Sequence, residues 1–245
     1  MATTLKSRSA ARPGRPSRDR MGEVEERILD AAQRVFLDRG LEGASVDEIA
    51  EAAHAGKPSI YARFPHKEAI FIAVMERMVR RRTEAVTAAR LSIAADLAIE
   101  ERLAGFAALL LRSALVEDTV ALVRAAIAEA RRFPDLASSV HRMLRERGDD
   151  EVGRLLAELV AAGQLPRTPA LAPERLTATA GRFIGLAMLP LMMRGLFGEP
   201  LASLRNEIDA HVRQAVEFFL AGCGHSPAAP SSSLAPSPGG TPTSS

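Results

Sequence analysis

Apolar residues recur every three to four positions across nearly all of residues 23–222, and no stretch keeps the two-residue alternation of a half-buried strand. The pattern predicts an all-α protein. Ile28, Leu29, Ala32, Val35 and Phe36 form the stripe of a first helix, expected to stop at Gly40, which takes the left-handed C-terminal position without a Cβ clash. Ser45-Val46-Asp47-Glu48 reads as a capping box opening a short second helix, with Ile49 and Ala52 on its buried side. Gly56 and Pro58 end it and begin another short helix over 57–64, Pro58 lying in the first turn where a missing amide is harmless. A longer helix follows Phe64-Pro65-His66 and carries Ile70, Phe71, Val74, Met75 and Met78. Beyond Arg90, Pro134, Pro166, Pro169, Pro173 and Pro200 punctuate helices expected at 96–116, 118–132, 135–163, 173–197 and 200–221.

Two short helices joined by a tight turn have the form of a helix-turn-helix, in which the first helix crosses the DNA backbone and braces the second in the major groove. Ile49, Ala50 and Ala53 on one side and Ile60 and Phe64 on the other would form the brace, leaving Lys57, Ser59, Tyr61 and Arg63 outward.

Composition narrows the reading. Of 245 residues 47% are hydrophobic and 25% charged, as in ordinary globular proteins, and aromatic residues make up only 4%, with no Trp and one Tyr. The single Cys, Cys223, excludes an intramolecular disulfide framework and a thiolate zinc site, so a reducing, cytoplasmic location is expected. No uninterrupted apolar run reaches the roughly 18 residues of a membrane span; the longest, Phe183–Met193, contains Pro190 and is bracketed by Arg182 and Arg194. The net charge of +2 hides a basic arm: residues 1–20 hold Lys6, Arg8, Arg12, Arg15, Arg18 and Arg20 against Asp19 alone. Such an arm suits a polyanion partner. The Ser-, Pro- and Gly-rich tail, residues 223–245, is expected to be disordered.

The block Arg27-Ile28-Leu29-Asp30-Ala31-Ala32, then Phe36, Gly40, Ser45-Val46-Asp47-Glu48-Ile49-Ala50, Ser59-Ile60-Tyr61-Ala62-Arg63-Phe64 and Lys67-Glu68-Ala69-Ile70-Phe71 resembles the DNA-binding domain of TetR-family transcriptional regulators. The segment Ile127–Leu136 is similar to the effector domain of AefR-like and AcrR-like members. The resemblance implies a three-helix DNA-binding domain at 21–81 and a helical effector-binding and dimerisation domain at 82–222. It also implies that Ser45, Tyr61 and Lys67 touch backbone phosphates. Lys57, Pro58, Ser59 and Arg63 would then read sequence, a division that suits their hydroxyl, phenol, ammonium and guanidinium donors.

Departures from the family pattern fall in the turn. His54 stands where glycine is usual, Gly56 where a capping hydroxyl is usual, and Pro58 where glycine is commoner. The left-handed turn residue is therefore expected to be a side chain that tolerates that conformation less well. With no second ligand at usable spacing, His54 is read as a turn residue or phosphate donor, and no metal or other cofactor is expected. Arg12-Pro13-Gly14-Arg15-Pro16 resembles an AT-hook core, which would place Arg12 and Arg15, followed by Arg18, along a narrow minor groove.

A helix-turn-helix usually reads two half-sites as a symmetric dimer, so a pseudo-palindromic double-stranded operator is expected. The resemblance implies that the last two helices form the dimer bundle, through Phe183, Ile184, Ala187, Leu191, Val212, Val216 and Phe219. Helices between 96 and 163 would enclose a small-molecule site lined by Phe106, Leu110, Val123, Ile127, Phe133 and Phe183, with His141 as a polar anchor. Asp149-Asp150-Glu151 is expected to be solvated. These readings converge on a non-enzymatic homodimeric repressor, released by a hydrophobic or amphipathic ligand and without a membrane partner. Two alternatives stand: an architectural DNA binder without effector, and an enzyme, against which count the missing phosphate loop, metal-ligand cluster and nucleophile elbow.

Overall fold

The computed structural model describes residues 18–90 and 97–225. Nine α-helices lie among them: α1 (Arg18–Gly43), α2 (Val46–Ala52), α3 (Lys57–Tyr61), α4 (Lys67–Arg90), α5 (Ile99–Ala114), α6 (Glu117–Ala128), α7 (Pro134–Ala161), α8 (Leu176–Leu196) and α9 (Leu201–Gly222). Two 3₁₀ turns, Pro169–Leu171 and Pro173–Arg175, lead into α8 where one longer helix was expected. Gly40 takes φ 68° and kinks α1, as its place at the end of the apolar stripe required.

Two hydrophobic cores organise the chain. In the first, α1–α4 pack through Ile28, Phe36, Ile49, Ile60, Phe71 and Met75. The Phe36 and Phe71 rings meet edge to face at 5.2 Å. This core does not end with the head, because Leu122, Val123 and Ala126 of α6 and Leu136 and Val140 of α7 belong to it. The second core joins α5, the later part of α7, α8 and α9, with Phe183 and Phe219 edge to face at 4.9 Å. The boundary expected at 81/82 falls inside α4, which runs unbroken from one half to the other. Cys223, expected to open the tail, is buried in the second core, and His225 Nε2 lies 3.3 Å from Glu100 Oε1. The tail beyond residue 225, like Arg12 and Arg15 of the arm, lies outside the described residues; Arg18 opens α1.

By length and composition the segment Pro173–Leu196 would suffice to cross a bilayer, although no uninterrupted apolar run does. In the fold it packs one side against α7 and α9. The crossing with α7 is close because of glycine: a Cβ on Gly148 would stand 2.8 Å from Ile184 Cδ1, and one on Gly181 3.2 Å from Asp149 Oδ1.

That crossing corrects the expectation for the acidic run. Asp149 and Glu151 are buried, and only Asp150 is exposed. Register explains it, since Asp149 lies three residues before Val152 and seven before Leu156, on the same inward face of α7. Glu151 is paired with Arg154, whereas Asp149 has Arg145 at 4.0 Å and its Oδ1 has no hydrogen-bond partner. Burial pushes the Asp149 carboxyl above its usual range. An acid that binds its proton more tightly when folded favours folding below its unfolded pKa, about 3.9. That contribution is lost as pH rises through the higher folded value. Asp149→Asn is therefore expected to raise stability near pH 7 by about 1 kcal/mol, a gain that fades toward about pH 4. Urea midpoints at the two pH values check this, and an equal gain at both would contradict it.

Candidate nucleic-acid interface

The capping box is complete. Ser45 Oγ accepts from the Glu48 amide at 3.2 Å, while the Ser45 amide and hydroxyl each donate to Glu48 Oε2 at 3.0 Å. Asp47 and Glu48 in the first turn also favour the helix dipole. The C-terminus of α2 closes as a Schellman motif: the Ala55 amide donates to Ala50 O at 3.0 Å and the His54 amide to Glu51 O at 3.1 Å. His54 holds the left-handed position at φ 50°, among the described residues the one non-glycine to do so. Its conformation agrees with the expectation drawn from the missing glycine. His54→Gly is expected to stabilise the protein by about 0.5–1 kcal/mol, relief of left-handed strain exceeding the added chain entropy of glycine. Thermal melts check it; a fall in Tm would show the imidazole holding the turn.

Ile60 and Phe64 bury themselves against Ile49 and Ala53, so α3 is braced by α2 as the spacing required. The outward residues of α3 are not all free. Lys57 Nζ sits 2.7 Å from Asp47 Oδ1, and that bond holds its ammonium above the ordinary lysine range. Arg63 Nη1 donates back to Ser59 O at 2.8 Å and to Ser59 Oγ at 3.1 Å. Pro58 is exposed, and Tyr61 projects half its surface into solvent. Lys67, at the start of α4, donates from Nζ to Glu42 O at 2.8 Å and Ala44 O at 2.9 Å. Beyond the phosphate role implied for it, this lysine fastens the carbonyls that end α1 and precede the Ser45 cap. Nothing in residue spacing signals that contact, which spans more than twenty positions.

One buried residue escaped the sequence reading. Arg77 of α4 is 1% exposed; its Nη1 meets Asp30 Oδ1 at 2.7 Å and Glu26 Oε2 at 3.2 Å, and Nη2 donates to Gln33 Oε1 at 3.1 Å. A signal existed: position 77 lies three residues after Val74 and seven after Ile70, on the apolar register of its helix.

The residues expected to line a ligand site do not come together. Phe106 and Phe183 lie in the second core, with Leu110 packed on its edge. Val123 and Phe133 belong to the first core, whereas Ile127 and His141 are exposed. Periodicity located apolar faces but could not tell which core each faces. The dimer residues also need correction. Phe183, Ala187, Leu191, Val212, Val216 and Phe219 are buried in the chain's own core, and Ile184 is half-buried against Gly148. The exposed large apolar side chains of these two helices and the turn between them are Leu189, Met193, Phe197 and Phe218. No group of three or more His, Cys, Asp or Glu with metal-holding geometry occurs among the described residues.

A capped first helix, a left-handed turn and a braced second helix, carried on a longer all-helical body, define a helix-turn-helix DNA-binding regulator. Residues 28–74 match the model for bacterial regulatory proteins of the tetR family, and residues 101–224 match the AefR-like transcriptional repressor C-terminal domain. The chain belongs to the TetR family of transcriptional regulators, a family without enzymatic activity, and has an AefR-like C-terminal domain.

Among curated relatives it is similar to the transcriptional activator FasR of Mycolicibacterium smegmatis, 39% identical over 83 residues, which are 32% of this chain and 38% of that one. It also resembles the regulator EthR of Mycobacterium tuberculosis, 33% identical over 82 residues, 33% of this chain and 38% of the relative. The matches thus span little more than a third of those relatives. Among solved structures, a TetR-family protein of Mesorhizobium loti superposes with TM-score 0.69 at 25% identity, covering 83% of this chain and 98% of the other. The flavonoid-responsive regulator FrrA superposes with TM-score 0.57 at 28% identity, covering 82% and 97%.

Proposed function

We propose that the chain is a homodimeric repressor of a pseudo-palindromic operator, released when a small hydrophobic or amphipathic ligand enters the helical half. The observation that carries this reading is the outward apolar strip of Leu189, Met193, Phe197 and Phe218, on the body that bears the reading head. Such residues gain by association, and a symmetric pair of heads is what a two-half-site operator requires. The repressor sign is favoured by the AefR-like repressor domain over 101–224, and the ligand class by the apolar second core and by the flavonoid response of FrrA. Ser45, Tyr61 and Lys67 are assigned to phosphates, Lys57, Pro58, Ser59 and Arg63 to base edges, and the arm's Arg12 and Arg15, with Arg18 at the start of α1, to the adjoining minor groove.

Fluorescence anisotropy on DNA from upstream of its own gene, against scrambled DNA, with stoichiometry measured in parallel, tests this. Selective binding of a dimer is expected, weakened by those members of a hydrophobic-compound panel that also raise Tm. Equal affinity for both DNAs and no responsive compound would favour an architectural role without effector.

A further inference from the structure

Polar contacts hold α6 at both ends and in its middle. At its start Asp118 Oδ2 accepts from Gln33 Nε2 of α1 at 3.3 Å. In its middle Arg124 Nε donates to Leu196 O at 2.9 Å and its Nη2 to Gly195 O, two carbonyls at the C-terminus of α8. Just past its end, Arg132 Nη1 lies 2.9 Å from Glu42 Oε1.

Glu42 stands three residues before the Ser45 cap, and its own carbonyl is one of the two gripped by Lys67. Arg132 is oriented in turn, its guanidinium carbon 5.2 Å from the Phe133 ring centroid, and Phe133 packs on the core that the head shares with α6 and α7. With side chains 60% and 74% exposed, the Arg132–Glu42 pair contributes little to holding the fold together. Its glutamate lies in the segment that leads into α2.

We infer that the Arg132–Glu42 pair is a positioning latch: through it α6, itself fastened to the end of α8, sets the orientation of α2 and α3 and thereby the affinity for DNA. The latch rests on the family's DNA binding and is independent of the ligand and dimer assignments. It also differs from a phosphate contact by Arg132, because its second member is an acid.

The test uses the full chain and a duplex that the parent binds, obtained by selection from random-sequence DNA, with anisotropy across a salt series. Glu42→Ala is expected to weaken binding about 3- to 10-fold, although it removes a negative charge from a DNA-binding head. Arg132→Ala should do the same, the double variant should be no worse than either single one, and Glu42→Arg with Arg132→Glu should recover most of what Arg132→Glu alone loses. Unchanged melting temperatures separate these effects from unfolding. Tighter or unchanged binding by Glu42→Ala would overturn the latch. So would additive effects with a salt slope lowered by about one in Arg132→Ala, the mark of a direct phosphate contact.

Discussion

Glutamate in place of both Leu189 and Phe218 is expected to leave a folded monomer that binds operator DNA at least about 100-fold more weakly than the parent. Both side chains are more than half exposed, so the changes leave the cores intact. The seam between the two helices is visible in their polar contacts. His211 Nε2 lies 3.0 Å from Ala187 O, and Arg194 Nη1 meets Glu207 Oε2 at 2.6 Å. Leu189 shares the outward face of α8 with Met193, four residues on, and 218 continues the 207, 211, 214 spacing on α9. In a symmetric dimer each introduced acid would be buried twice, opposite a copy of the same surface, at a desolvation cost no rim contact offsets. Sedimentation or light scattering reads the oligomeric state and anisotropy the affinity. A variant that stays dimeric would remove this surface from the dimer assignment.

Arg77→Met should cost about 3 kcal/mol of stability, which for a chain of this size lowers Tm by roughly 6–12 °C. Inside the head, Arg77 answers Glu26, Asp30 and Gln33 on three successive turns of α1. Methionine fills much of the same space but leaves those acceptors without their shared donor. The remaining carboxylates are about half exposed and hydrate, which keeps the loss near the lower end for a broken buried pair. Arg77→Lys should recover only part of it, since a single ammonium cannot span acceptors that a guanidinium fork reaches together. Urea denaturation separates the three proteins; a lysine variant as stable as the parent would reduce the fork to a plain charge.

The head was legible in the sequence because its determinants are local: a capping box four residues long, a glycine at a helix end, a proline in a first turn and a missing glycine at His54. Helix limits in the second half followed from proline for the same reason. What escaped is set by packing over long distances. An apolar residue recurring every three or four positions looks alike whether it meets its own core or a second copy, so periodicity does not separate the buried Ala187 and Leu191 from the exposed Leu189 and Met193. Arg77 and Asp149 broke the apolar register of their helices, a legible anomaly, but neither the α1 partners of Arg77 nor the crossing with α8 that buries Asp149 is named by periodicity. Contacts such as Arg132 with Glu42, ninety residues apart, have no sequence signature.

The bonds of Lys57 to Asp47 and of Arg63 to Ser59 bear on how such a protein would search a genome. Two cations, Lys57 on α3 and Arg63 just after it, are engaged within the chain itself, so random duplex would gain less from them than their charge suggests. Both bonds are exposed or nearly so and inexpensive to exchange, and under the proposed assignment a base edge of matching geometry would replace them in kind. With those roles the arrangement would tax every wrong sequence alike and so shorten residence on the vast excess of competing sites, a gain in selectivity obtained without adding a single contact to the right one.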